Sequence, residues 1–257
     1  MHRKAPLTQR SFFLGEIKMA VAVVDCRISE RCERALTLRG FNVIKMPPSK
    51  RLGAAVESHP DMLFFHNGCD IITSADYCDE AAYVFSDLRE LCPSTRITFA
   101  DECFEAEYPR DAIFNALVCG ECIYCRVESV SPAVLRLAKE SGLRVVPVRQ
   151  GYPACTVLKL SDEVCVTADA GMSRALRENG VTVYLIENGD ISLPPHEYGF
   201  IGGAAGVHGG VAYFLGDLDS HRSAEVIKEA CAAARVAPVS LSDEPLADLG
   251  RIVFIDQ

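Results

Sequence analysis

Helix start and stop signals alternate with strand signals along this chain, and the second strand after each helix recurs every 44 to 50 residues, a period that limits the fold more than any other feature. Ser29 precedes an acidic first turn and a helix that ends at Gly40. Ser74 precedes a helix over residues 75–91, and Ser131-Pro132 is an N-cap followed by proline at the first helical position. Asp169 opens a helix that stops at Asn179-Gly180, and Ser220 opens one running to about Arg235. Each predicted helix is followed by a β-branched segment of strand length, at residues 41–46, 96–100, 143–148, 181–186 and 236–241.

A second strand follows after a loop, at residues 62–65, 112–118, 156–160, a glycine-rich stretch from Gly199, and 249–255. Hairpin-like turns then lead to a further strand at 69–73, 122–127 and 164–167. The fifth unit lacks this last strand and residues 19–25 supply one, so a closed ring would join the two ends. Superposing the second strands aligns Asp61, Asp111, Cys155, Gly202 or Gly203, and Asp248, each expected at a strand start. A period of this length is the signature of propellers and stacked arrays, in which a unit buries its apolar face against its neighbours. The expected fold class is α/β, with residues 1–18 as an extension and 19–257 as one domain of five units.

Composition narrows the function. The chain has 257 residues, 49% of them apolar, and a net charge of −9. Residues 1–18 carry net +3, so the remainder carries −12 and offers no basic stripe for phosphate backbones. Nucleic acid is not an expected partner. Residues 11–24 are interrupted by Glu16 and Lys18, and the apolar tract 201–216 falls short of the roughly 20 residues of a membrane span, so neither export nor membrane insertion is expected. Twelve irregularly spaced cysteines, under 5% of the chain, fit buried thiols in a reducing cytoplasm better than a disulfide framework.

The arrangement of units resembles the guanidine-group-modifying superfamily, the penteins, and the motifs QGYPACTV, YGFIGGAAG and PLADLGRI resemble, more narrowly, an uncharacterised bacterial subfamily within it. The resemblance implies a five-bladed α/β propeller of ββαβ modules about a pseudo-fivefold axis. His59-Pro60-Asp61 resembles the motif that supplies a catalytic histidine and a guanidinium-binding aspartate in the deiminases of that superfamily. Gly151 to Thr156 is similar to the segment carrying their nucleophilic cysteine, which implies catalytic roles for Cys155 and His59. In those enzymes the cysteine lies near the C-terminus, whereas here two further units follow it, and no counterpart of their catalytic glutamate is found.

If the five aligned positions converge, Asp61, Asp111 and Asp248 surround one opening, and Gly202 and Gly203 let a ligand approach the backbone. Clustered carboxylates repel one another and raise the pKa of at least one member, which a planar guanidinium would relieve through paired hydrogen bonds. Cys155 could then attack the guanidinium carbon while His59 handles protons. Asn115, four residues after Asp111, and Lys159, four after Cys155, are expected on the same strand faces, where they either line the same channel or serve sheet packing.

The expectation is therefore a binder of a small cationic guanidino compound, acting as a cysteine-dependent hydrolase or amidinotransferase, with no cofactor. The alternative is a non-catalytic propeller serving as a binding or scaffolding module, in which Cys155 is a small buried residue and the aspartates cap turns. Cys119, Cys122 and Cys125 form a C-x-x-C-x-x-C run, but Gly120-Glu121 reads as a two-residue turn with the first two cysteines on either side, and no metal ligand set is assigned. His66, His196, His208 and His221 are expected at the surface.

Overall fold

A computed structural model describes residues 20–257. The expected extension over residues 1–18 and the first residue of the expected opening strand lie outside the described residues. Five three-stranded sheets share one strand order, in which a central strand pairs antiparallel on one side and parallel on the other. In chain order the central strands are Val21–Asp25, Asp70–Ser74, Cys122–Cys125, Val164–Thr167 and Val211–Phe214. Their antiparallel partners are Val253–Ile255, Phe64–Asn67, Leu117–Cys119, Val157–Lys159 and Ala205–His208. Their parallel partners are Asn42–Met46, Arg96–Ala100, Arg144–Pro147, Thr182–Leu185 and Ala237–Ser240.

Each parallel pair is bridged by helix, as a parallel crossover requires. The helices are Glu30–Thr37, the pair Ala75–Glu80 and Ala82–Leu91, Pro132–Glu140, Ala170–Glu178 and Ala224–Ala233. Four begin at the predicted caps: Ser29 accepts from the N–H of Cys32, Ser74 from Tyr77, Ser131 from Ala133 and Asp169 from Met172. Each cap satisfies one of the N–H groups that a helix start leaves unpaired. The fifth helix does not begin at Ser220. Asp217 caps a short 3₁₀ turn, Leu218–Ser220, whose Ser220 hydroxyl donates back to the Asp217 carbonyl, and the α-helix starts only at Ala224.

The second strands also start later than expected, because proline imposes a helical turn first. Pro60–Leu63 and Pro153–Thr156 are single α-turns with proline at their first position, and Arg110–Ala112 is a 3₁₀ turn after Pro109. The fixed φ of proline suits the start of a helix. Asp61, Asp111 and Cys155 therefore sit on these turns and not at strand starts. Gly202 and Gly203 lie in the turn before Ala205–His208, and Asp248 lies between the two-residue strand Leu246–Ala247 and Val253–Ile255. Beneath the turns, Met62, Phe64, Phe104, Phe114, Ile123 and Cys155 belong to one buried apolar cluster. Val253–Ile255, the last strand, pairs with Val21–Asp25, the first.

Candidate active site

The one-turn helices bring residues from far apart in the chain into contact. The thiol of Cys155 donates to Asp61 Oδ2 at 2.9 Å, and Asn115 Nδ2 donates to the same sulfur at 3.0 Å. Asn115 also bonds the Asp61 carbonyl at 3.2 Å and accepts from the N–H of Ala154 at 2.8 Å, tying the two turns together. Asp248 accepts from the N–H groups of Phe200 at 2.8 Å and Gly250 at 3.1 Å. Gly250 has φ +68°, and a Cβ there would come within 2.2 Å of the His59 Cβ, so only glycine lets this loop cross the histidine.

His59 is 1% exposed and neither ring nitrogen has a hydrogen-bond partner. Nδ1 lies 3.9 Å from Asp248 Oδ1 and Nε2 lies 3.8 Å from Asp25 Oδ2. Asp25 closes the apolar strand Val21–Asp25, is fully buried, and is held by the guanidinium of Arg27 through Nε at 2.9 Å and Nη2 at 2.6 Å. Two carboxylates beside an imidazole would ordinarily favour its charged form. Burial wins, aided by the positive Arg27 that offsets Asp25, and His59 is pushed down to about 3 and stays neutral.

The acids move the other way. Burial lifts Asp61 to about 6 against the stabilising hydrogen bond from Cys155. Burial lifts Asp248 to about 7, and the negative charges of Asp61 and Asp25 add to that against the two backbone N–H donors. Cys155 is held well above its ordinary value by burial first and then by Asp61 and Asp248. The sulfur is therefore a neutral thiol that donates a hydrogen bond.

Cys155, His59, Asp248 and Asp111 all open onto one cavity of about 700 Å³. Its remaining wall comprises Gly53 to Val56, Met62, Ala106, Tyr108, Tyr152, Leu193, Pro195 to Tyr198, and Phe200. Tyr152 donates through its hydroxyl to Asp111 Oδ2 at 2.7 Å, while Asp111 Oδ1 is buried without a partner. Burial raises the Asp111 pKa, opposed by the Tyr152 bond. The site thus offers a thiol, an imidazole and two cavity-facing carboxylates around a space of small-molecule size.

A model of the family described as "Family of unknown function (DUF6873)" matches residues 23–253. The chain belongs to DUF6873. No curated protein matches its sequence. Among solved structures, this DUF6873 chain is similar to the amidinotransferase SxtG from Microseira wollei, of the saxitoxin biosynthetic pathway, at 11% identity and a TM-score of 0.53, covering 87% of this chain and 88% of that one. It is similar to DDAH from Pseudomonas aeruginosa in complex with citrulline, at 11% identity and a TM-score of 0.53, covering 88% and 92%. The inosamine-phosphate amidinotransferase of Streptomyces griseus matches at 15% identity and a TM-score of 0.51, covering 84% and 76%. The DUF6873 chain therefore has the α/β fold of the pentein superfamily. At these identities the likeness speaks for the fold alone.

Several expected site residues stand behind the cavity wall of the DUF6873 chain and do not line it. Asp61 is covered by the Cys155 sulfur to which it is bonded, and Asn115, which lies in no strand, is 1% exposed behind the same sulfur. Gly202 and Gly203 form a support. A Cβ on Gly202 would lie 2.5 Å from the carbonyl oxygens of Ala154, Cys155 and Val157, and one on Gly203 would lie 1.9 Å from Asp248 Oδ1. Lys159 points away from the channel and pairs with Asp162 at 3.0 Å, because the strand holding it starts two residues later than Cys155.

Cys119 and Cys122 do face each other across the Gly120-Glu121 turn, and Cys119 Sγ lies 3.7 Å from Cys165 Sγ in the next sheet. Three histidines depart from the surface expectation, among them His208, half-buried against Phe41 and Phe254. His221 is 3% exposed, its Nδ1 accepting from the N–H of Ser223 at 3.0 Å, and His66 is half-buried in strand Phe64–Asn67 with Nε2 unpartnered. Sequence reasoning passed over Asp25, Arg27 and Tyr152. A charged residue ending the otherwise apolar run Val21 to Val24 was the available signal for Asp25.

Proposed function

We propose that this protein binds a small guanidino compound in the cavity above Cys155 and transfers or hydrolyses its amidino group through that cysteine. The observation carrying the proposal is that Cys155, His59, Asp248 and Asp111, from separate parts of the chain, open onto one cavity. A guanidinium placed there donates to Asp248 and to the unpartnered Asp111 Oδ1, and its positive charge favours the ionised form of both carboxylates. The same positive charge lowers the thiol pKa, which Asp61 and Asp248 hold up in its absence.

Chemistry follows from those positions. Asp61 Oδ2 takes the thiol proton as Sγ bonds to the guanidinium carbon. The carbon–nitrogen bond then breaks and the amine departs with that proton, handed on from Asp61 by His59 on the cavity wall, leaving an amidino group on sulfur. Neutral His59 next accepts a proton from an attacking water, the sulfur–carbon bond breaks, and a urea, the free thiol and a proton result. An amine in place of water gives amidino transfer. Asp25, fixed by Arg27, stabilises the imidazolium that forms.

We further read the five like-ordered sheets as five ββαβ blades of one domain, residues 19–257, around a shared axis, closed by the pairing of Val253–Ile255 with Val21–Asp25. All twelve cysteines are free thiols, which supports a reducing, cytoplasmic setting. No helix among the described residues is long and apolar enough to cross a membrane.

Peptide mapping after treatment with a haloacetamidine, an alkylator shaped like a guanidinium, tests the assignment. Cys155 should be labelled before the exposed Cys69, and a neutral haloacetamide should reverse that order. Labelling of Cys69 first by both reagents would point instead to a non-catalytic binding module.

A further inference from the structure

We infer, resting on the guanidino reading above, that the ligand's tail is an uncharged alkyl or aryl group and not an amino-acid carboxylate. Beyond the thiol, Tyr108, Tyr152 and Phe200 form a run of rings along the cavity, with centroids 5.4 Å and 6.4 Å apart and planes tilted by 44° and 32°. Leu193 and Pro195 continue this apolar wall. Rings in this arrangement take up flat or chain-like apolar groups against their faces, and their quadrupoles oppose an anion held there.

The charges on the wall point the same way. Asp111, with Oδ1 unpartnered, lies at the foot of the rings, and Glu197 lies at the exposed rim beside His196. With Asp111 taken by the guanidinium, a carboxylate tail would still meet Glu197. Arg126 stacks on Tyr108 at 5.2 Å and approaches Glu128 at 3.8 Å, and it does not line the cavity. The space left once a guanidinium sits between Asp248 and Asp111 is bounded mainly by carbon, so a tail gains affinity by removing apolar surface from water.

Calorimetric titration of the full-length protein with phenethylguanidine, butylguanidine, agmatine and L-arginine tests this inference. Phenethylguanidine and butylguanidine should bind at least about tenfold more tightly than L-arginine, a factor of ten being a clear free-energy step. Agmatine, which is arginine without its carboxylate, should also exceed L-arginine. L-arginine binding as tightly as butylguanidine would overturn the inference while leaving the guanidino site in place. Failure of all four to bind would remove the guanidino reading and the inference with it. Phe200→Leu should weaken phenethylguanidine severalfold and leave methylguanidine unchanged; equal losses for both would assign the ring to structure and refute its contact with the tail.

Discussion

Cys155 and Asp61, 94 positions apart in the chain, share a hydrogen bond of 2.9 Å in which the thiol donates to a carboxylate lifted to about 6. The nucleophile is thus kept protonated by the group placed to remove its proton. Asp61→Asn removes the negative charge that holds the thiol up. The pH midpoint for alkylation of Cys155 by iodoacetamide, followed by peptide mapping, should fall by about one unit or more. An unchanged midpoint would mean that the carboxylate does not govern the sulfur.

Asp248 ties the fold's stability to pH. Its folded-state pKa of about 7 lies above the ordinary carboxylate value, so the folded protein holds a proton that the unfolded chain has released. Stability from this group is therefore lost as pH rises through 7, by an amount on the order of 1 kcal/mol between pH 6.5 and 8. Neutral His59 works in the opposite sense, but only below its unfolded value near 6.5. In urea denaturation over that window, Asp248→Asn should show a flatter pH slope than the wild-type chain. A bound guanidino ligand should flatten the wild-type slope as well.

Gly202 and Gly203 separate support from binding. A methyl group on Gly202 meets three backbone oxygens that have no room to retreat, so Gly202→Ala should cost about 1–3 kcal/mol or more. At Gly203 the methyl meets a side chain, Asp248, which can rotate away. Gly203→Ala should accordingly unfold at a higher urea concentration than Gly202→Ala yet bind guanidino probes far more weakly than wild type. A reversed order of stability would contradict the packing described.

Asn115 holds two turns and the sulfur at once. Asn115→Ala leaves the buried N–H of Ala154 without an acceptor and should lower stability by about 1–3 kcal/mol. It also removes a donor to the sulfur, so the alkylation midpoint of Cys155 should rise, opposite to the change expected for Asp61→Asn. A shift in the same direction for both variants would argue against this network.

Local signals in the sequence carried most of the fold. Ser29, Ser74, Ser131 and Asp169 cap helices as their positions indicate, because a cap depends on neighbours within three residues. The even spacing of Asp61, Asp111, Cys155 and Asp248 was legible for the same reason, each following a proline or glycine signal. The turns after Pro60 and Pro153 were read as strands because β-branched and apolar residues follow at once, and a single helical turn is too short to show a period. The pairing of Asp25 with Arg27 is local, but its bearing on His59 depends on how the first and second sheets pack. The ring series Tyr108, Tyr152 and Phe200 was likewise invisible, since aromatic residues in separate loops have no spacing to reveal them.

The loop at Gly250 that crosses His59, and the strand Val253–Ile255 that follows it, must be in place before the histidine, the thiol and Asp248 meet. Synthesis therefore makes Asp61, Asn115 and the cysteine long before it makes Asp248 and the loop that crosses the histidine. A partly translated chain or a clipped fragment that stops short of Asp248 lacks one of the two acids that hold the thiol up, and the cavity wall is completed only by the last part of the chain.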